Sequence, residues 1–323
     1  MHLLSVSSLY KQQGGFALRD ISFQQSQLQK IAIAGESGSG KSTLLKIIAG
    51  LVQPDAGLVL FEGKRVEGPF EKLIPGHPGI AYLSQHYELR NNYRMEELLE
   101  YANKIPEEKA RHLYRLCRID HLFQRKNGQL SGGERQRLSL AMLLTQAPRL
   151  LLLDEPFSNL DPIHKNILKE VLEDISTTYQ TACLLTSHDP LDTLSWAQEI
   201  IAMKEGQIVQ QAPAQEIYHH PVNEYVAGLF GSYNVFDKSD IALFPPLKTL
   251  PLNGKPVYLR PEQFMIVPAS TEHAVPGKIQ QVSFWGSYYE IRVLVGHKQV
   301  LVKTTLSPRP HEESVHLLLS PAH

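Results

Sequence analysis

Residues 35–42 read GESGSGKS, and every residue type in that run suits the capture of a polyphosphate. Glycines let backbone N–H groups turn inward with no Cβ in the way. A helix starting behind them aims its unpaired N–H groups at the anion. Lys41 brings a compact positive charge to the outer phosphates, and the Ser42 hydroxyl suits Mg²⁺. The loop set is Gly35, Glu36, Ser37, Gly38, Ser39, Gly40, Lys41, Ser42 and Thr43. An acidic centre follows in RLLLLDEP at 149–156. Asp154 closes an apolar run, where a carboxylate can hold the water shell of the metal. Glu155 comes next, placed to polarise a water that attacks the terminal phosphate. The run LSGGERQ at 130–136 is of another kind. It holds no catalyst: Ser131, Gly132 and Gly133 form a polar, glycine-paired turn at the mouth of a helix.

These groups need a scaffold, and the surrounding periodicity describes one. KIAIAGESGSGKSTLLKIIAG at 30–50 reads as a buried strand, the loop, and a helix with Leu44, Leu45, Ile47 and Ile48 on one face. IAYLSQ at 80–85, RLLLLDEP and ACLLTSHD at 182–189 are apolar runs of the kind a central parallel sheet requires. Residues 3–23, broken by QQGG, and 199–212, turning at Glu205-Gly206, read as hairpins. Helical spacing marks 93–128, 162–178 and one helix over 213–231. From Asn234 the chain turns proline-punctuated and strand-like, which predicts a small antiparallel barrel. The expected division is 1–232, with a helical subdomain at about 86–145, and 233–323.

Bulk properties bound the function. A chain of 323 residues with formal net charge −1 has no polybasic surface for nucleic acid or anionic lipid. Cys117 and Cys183 show no metal spacing and read as reduced thiols. His219-His220 reads as surface. The first residues lack the basic start and apolar stretch of a signal peptide, and no segment is long and apolar enough to span a bilayer.

With these motifs in this order, the chain resembles the ATP-binding-cassette (ABC) ATPases across residues 1 to about 231. The implied fold is α/β: a P-loop NTPase domain with an antiparallel β-subdomain and a helical subdomain. The resemblance implies a homodimer in which LSGGERQ of one chain covers the γ-phosphate of ATP held by the loop of the other. It implies that Gln85 in YLSQ senses Mg²⁺ and the attacking water, and that Asp161 in SNLD lies at the dimer seam. It also gives His188 in LLTSHD the γ-phosphate contact, and Tyr10 the stack on adenine, with Phe16 as the alternative. Residues after 233, through YLRPEQFMIVP and VSFWGSYYEIRVLV, resemble the TOBE-type oligonucleotide-binding-fold barrel of importer ATPases. Few Lys or Arg accompany Phe284, Trp285, Tyr288 and Tyr289, so packing rather than base stacking is the expectation.

The expected protein is therefore an ATPase of a bacterial importer, with ATP and Mg²⁺ as cofactors. It would sit peripherally on the cytoplasmic face of the plasma membrane, bound to permease subunits and indirectly to a periplasmic or lipid-anchored binding protein. YLRPEQF points toward ferric iron among ferric-iron, sulfate or molybdate, polyamine and sugar importers. After Gln85 the stretch HYELRNNYRMEELL lacks the proline usual in such importers. Tyr87, Leu89, Tyr93 and Met95 would there offer an apolar groove to the permease. Two other readings stay open. One is a non-transport ABC ATPase; the other is an ATPase serving a ligand-sensing barrel that binds molybdate or sulfate.

Overall fold

The structure is a computed structural model that describes residues 2–85, 93–249, 255–307 and 313–320. The chain forms two compact units that divide between Ala214 and Gln215.

In the first unit the strands are β1 (Leu4–Gln13), β2 (Phe16–Gln25), β3 (Lys30–Ala34), β4 (Ala56–Phe61), β5 (Lys64–Arg65), β6 (Ile80–Leu83), β7 (Leu150–Asp154), β8 (Ala182–Ser187), β9 (Glu199–Lys204) and β10 (Gln207–Pro213). Its helices are α1 (Lys41–Ile48), α2 (Met95–Ala102), α3 (Glu107–Leu116), α4 (Gly132–Leu144), α5 (Pro162–Tyr179) and α6 (Pro190–Leu194). A six-stranded sheet runs β10-β9-β3-β8-β7-β6, parallel except for β10. Every residue of β7 and β8 is buried, which is why both read as unbroken apolar runs. A four-stranded antiparallel sheet, β2-β1-β4-β5, lies beside it. Leu4, Ile21, Ile33, Leu45, Ile48 and Leu152 join both sheets and α1 in one core. The parallel register sets the carboxyl ends of β3, β7 and β8 side by side, with Asp154 opposite Thr186 and Ala34 opposite Ser187. Functional groups of an open α/β sheet gather at that edge.

The helical insertion corrects one expectation. Met95 is fully buried as the first residue of α2, with Leu98 and Leu99 on the same face, so it packs and offers no groove. Tyr93 is exposed. Tyr87 and Leu89 lie outside the described residues.

The second unit contains α7 (Ala214–His219), α8 (Glu224–Leu229), β11 (Asn234–Phe236), β12 (Val257–Leu259), β13 (Phe264–Val267), β14 (Val275–Phe284), β15 (Tyr289–Val295), β16 (Lys298–Thr304) and β17 (Ser314–Leu319). β11 pairs with β12, and the rest form an antiparallel sheet in the order β13-β17-β14-β15-β16. Phe236, Phe244 and Phe264 pack ring on ring beneath it. The single helix expected over 213–231 is two, because Pro221 supplies no N–H and Asn223 caps a new start by accepting from the Val226 amide at 3.0 Å. The division also falls upstream of the expected 232/233. The cause is Arg260, whose guanidinium binds the carbonyls of Tyr218, Ala227, Gly231 and Ser232 and so ties the two short helices to the C-terminal strands. Among the described residues, no helix is long and apolar enough to cross a membrane.

Candidate nucleotide site

A cleft of about 480 Å³ opens at the carboxyl edge of the parallel sheet, lined by Gln13, Phe16, Ser37, Gly38, Gly40, Lys41, Ser42, Thr43, Gln85 and Glu155. Helix α1 begins at its floor. The Gly40 carbonyl accepts from Leu44, so the amides of Lys41, Ser42 and Thr43 precede the first helical bond and serve as anion donors. Gly40 has φ +98, and a Cβ there would lie 2.5 Å from Phe16 Cζ. The glycine thus supplies both the turn and the room for the aromatic ring over it. Ser39 is buried and does not line the cleft, nor do Gly35 and Glu36, whose role is carried by their carbonyls.

Those carbonyls hold Lys41. Its Nζ donates to Gly35 O at 2.9 Å and Glu36 O at 3.0 Å, and lies 4.0 Å from Glu155 Oε1. Burial pushes the Lys41 ammonium below its ordinary range, while Glu155 and Asp154 pull it back up. Asp154 is almost fully buried and accepts three hydroxyls: Ser42 at 2.9 Å, Thr186 at 2.8 Å and Tyr82 at 2.9 Å. Ser42 and Asp154 present adjacent oxygen donors, the hard ligands that suit Mg²⁺.

Glu155 has φ +48, a left-handed conformation rare for a side chain of this kind. Its amide donates to Thr186 Oγ1 at 2.9 Å, which anchors the turn. The carboxylate then projects into the cleft, and its Oε2 lies 3.1 Å from His188 Nδ1. Glu155 is also the shared wall of a smaller cleft, about 180 Å³, lined on its far side by Ser158, Leu160, Lys165 and His188. Backbone strain at a carboxylate beside a phosphate loop is where strain serves chemistry.

The structure thus brings together Lys41, Ser42, Gln85, Asp154, Glu155 and His188. Gln85 stands exposed on the cleft wall. Tyr10 is 44% exposed and does not line the cleft; Phe16 does. Ser131, Gly132 and Gly133 begin α4 and do not line it either. Ser131 is tied in a capping box: its Oγ accepts from the Glu134 amide at 3.2 Å, and its own amide donates to Glu134 Oε2 at 2.7 Å. Asp161 caps α5, accepting from the amides of Ile163 and His164 at 3.0 Å each. Sequence reading passed over Tyr82 and Thr186. The signal for Thr186 was its place two residues before His188 on an apolar run parallel to β7.

A parallel sheet with a phosphate loop, a metal-suited hydroxyl–carboxylate pair and a projecting glutamate defines a nucleotide-hydrolysing P-loop fold. Comparison with known proteins agrees. The sequence matches the ABC transporter family over residues 18–158 and the TOBE domain over 257–323. A sulfate/thiosulfate import ATP-binding protein of Synechocystis sp. is 32% identical over 302 residues, covering 90% of this chain and 84% of that protein. Its counterpart in Mesostigma viride is 31% identical over 318 residues, covering 94% and 90%. Among solved structures, cbiO1 from Clostridium perfringens has a TM-score of 0.60 at 24% identity, over 67% of this chain and 90% of that one. An ATP-binding cassette of an ABC transporter in its ADP conformation has a TM-score of 0.60 at 24% identity, over 71% and 98%. The chain belongs to the ABC transporter family, as an importer-type ATPase with a C-terminal TOBE domain.

Proposed function

We propose that the chain hydrolyses ATP as a Mg²⁺-dependent homodimer that drives uptake of an inorganic sulfur oxyanion, sulfate or thiosulfate, through a membrane permease. The observation that carries the reading is the incompleteness of the cleft within one chain. Lys41, Ser42, Thr43 and Glu155 line it, with Asp154 bonded to Ser42 and His188 to Glu155, while Ser131 at the start of α4 is absent from its lining and tied to Glu134 of its own helix. A second copy supplies that serine, with its helix N-terminus, to the γ-phosphate. Lys41 and the α1 amides hold the phosphates, Glu155 orients and accepts a proton from water, and His188 fixes the Glu155 carboxylate. Ser42 and Asp154, with Gln85 nearby, would hold Mg²⁺, which would supply positive charge against the charge developing on the phosphates. Phe16 over Gly40, rather than Tyr10, takes the adenine face.

The oxyanion reading is supported by the relatives, which are sulfate/thiosulfate import proteins. It replaces the ferric-iron expectation, which leaned on YLRPEQF. The arginine of that stretch, Arg260, is fully buried on backbone carbonyls and so reports on folding rather than on solute. Permease docking is supported by Phe70, Leu73 and Ile74, which are 87%, 99% and 79% exposed. Ile74 also edges a cleft of mixed polarity, with Leu51, Pro78 and Leu143 beside Lys72, His77 and Gln146. Such a subunit works peripherally at the cytoplasmic face of the membrane, next to a permease and a solute-binding protein.

A mixed dimer tests the two-chain site. One chain carries Lys41→Ala and the other Ser131→Arg, so both lesions fall in one site and the second site keeps intact parts from both chains. The dimer should occlude one ATP. Loss of occlusion at both sites would mean that each chain uses its own signature serine.

A further inference from the structure

Helix α4 starts on Ser131 and helix α5 starts on Asp161, and one side chain bridges the two starts. A Cβ built on Gly133 would lie 2.9 Å from Cδ2 of His164, 3.3 Å from its Cγ and 3.4 Å from its Cβ. The same construction at Gly132 meets nothing within 4 Å. The two glycines therefore face different things: Gly132 opens outward, and Gly133 receives the imidazole of its own chain. The imidazole is itself fixed, with Nδ1 2.6 Å from Asp161 Oδ2. The other oxygen of Asp161 already accepts two amides. An ionised carboxylate only accepts hydrogen bonds, so Nδ1 is the donor in this contact. The ring cannot turn away from Gly133 without giving up that bond.

We propose that His164 is a positioning residue that sets the spacing between the signature serine and Asp161, and that Gly133 is glycine in order to admit the ring. The packing half of the proposal stands within one chain. Its functional half rests on the two-chain site above: Ser131 and Asp161 meet the partner copy at a separation that His164 fixes. A glycine needed only for phosphate approach would not depend on what stands at 164.

A double-substitution cycle tests both halves. Thermal melting of the isolated chain reads packing alone. Gly133→Ala should lower the melting temperature by on the order of 5 °C, the scale of an overpacked contact in a chain of this size. Adding His164→Ala should return most of that loss; additive losses, or an unaltered Gly133→Ala protein, overturn the packing claim. If Gly133→Ala yields no folded protein, folding of the double variant is the same positive result, and failure of both overturns it. ATP-driven dimerisation, read by size exclusion in a Glu155→Gln background, tests position. His164→Ala should raise the ATP concentration required by about tenfold, and the double variant, which also lacks the ring, should stay raised rather than return to the parent value. His164→Asn, which keeps an N–H for Asp161 but lacks the ring, should fall between. Dimerisation indifferent to all three, with the packing cycle intact, overturns the positioning role. A Glu155→Gln parent that never dimerises with ATP overturns the two-chain site, and the positioning role with it, and leaves the packing cycle to be judged separately.

Discussion

Lys41 and Arg260 are both buried cations, one in each unit, and burial pushes both below their ordinary ranges. What surrounds them differs. Arg260 gives its Nε to the Tyr218 carbonyl and Nη1 to those of Ala227, Gly231 and Ser232, and stacks 4.2 Å from the centroid of Tyr218. Its Nε and Nη1 are spent on the fold, while Nη2 is buried with no hydrogen-bond partner among the described residues. Lys41 rests on two loop carbonyls at the floor of a cleft, with a carboxylate at 4.0 Å. Its charge is parked, ready to be drawn to a phosphate. A buried cation is thus no sign of function by itself; the deciding fact is whether it faces open volume, as Lys41 does.

Exchanging the lesions gives the largest expected contrast. Arg260→Met should destabilise the second unit by about 3–5 kcal/mol, because it strands several buried carbonyls at once. ATP affinity should be unchanged. Lys41→Ala should do the reverse, leaving the denaturation midpoint in place while ATP affinity falls on the order of 100-fold. Calorimetric ATP titration and guanidinium unfolding of both variants decide it; parallel losses in the two assays would erase the distinction drawn here.

Glu155→Gln sharpens the account of the cleft. The amide keeps the shape and the strained turn but cannot take a proton. Turnover should fall by at least ~100-fold with ATP binding retained. Near-parental phosphate release would remove Glu155 from its role.

A smaller effect separates two aromatic residues. Phe16→Ala should weaken ATP by about tenfold, the scale of one lost base–aromatic stack, and Tyr10→Ala by far less. Equal losses would return Tyr10 to the adenine site.

The smallest expected effect belongs to the second unit and depends on pH. Burial pushes the Asp240 carboxyl up, but Lys298 at 2.7 Å and the Asp237 amide outweigh it, so it sits below its usual range. A depressed carboxyl stabilises the fold above the unfolded value of about 3.9, and that contribution is lost as pH falls through the folded value. Lys298→Met should cost about 1 kcal/mol at neutral pH and move the acid unfolding limb of this unit to higher pH. An unmoved limb would show that the pair is idle.

The chemistry was legible in the sequence wherever neighbours in the chain are neighbours in the site. GESGSGKS, Asp154-Glu155 and LSGGERQ are local devices: a loop with its helix, a strand end, a helix start. Continuous apolar runs gave β7 and β8 for the same reason, since a strand covered on both faces has no polar positions to show. Tertiary structure alone decided what depends on distant pairing. Phe16 rather than Tyr10 reaches the cleft because β1 carries two register shifts, at Val6/Leu9 and Leu9/Lys11, that no periodicity records. Met95 is core because α2 buries its first turn. The unit boundary moved to Ala214/Gln215 because Arg260 reaches back along the chain to carbonyls whose sequence bears no mark of it. His164 meets Gly133 across 31 positions, through two helix starts that only the folded chain sets side by side. Hydrophobic period and turn chemistry are written residue by residue, whereas the contacts that choose one side chain over another follow from how whole elements pack.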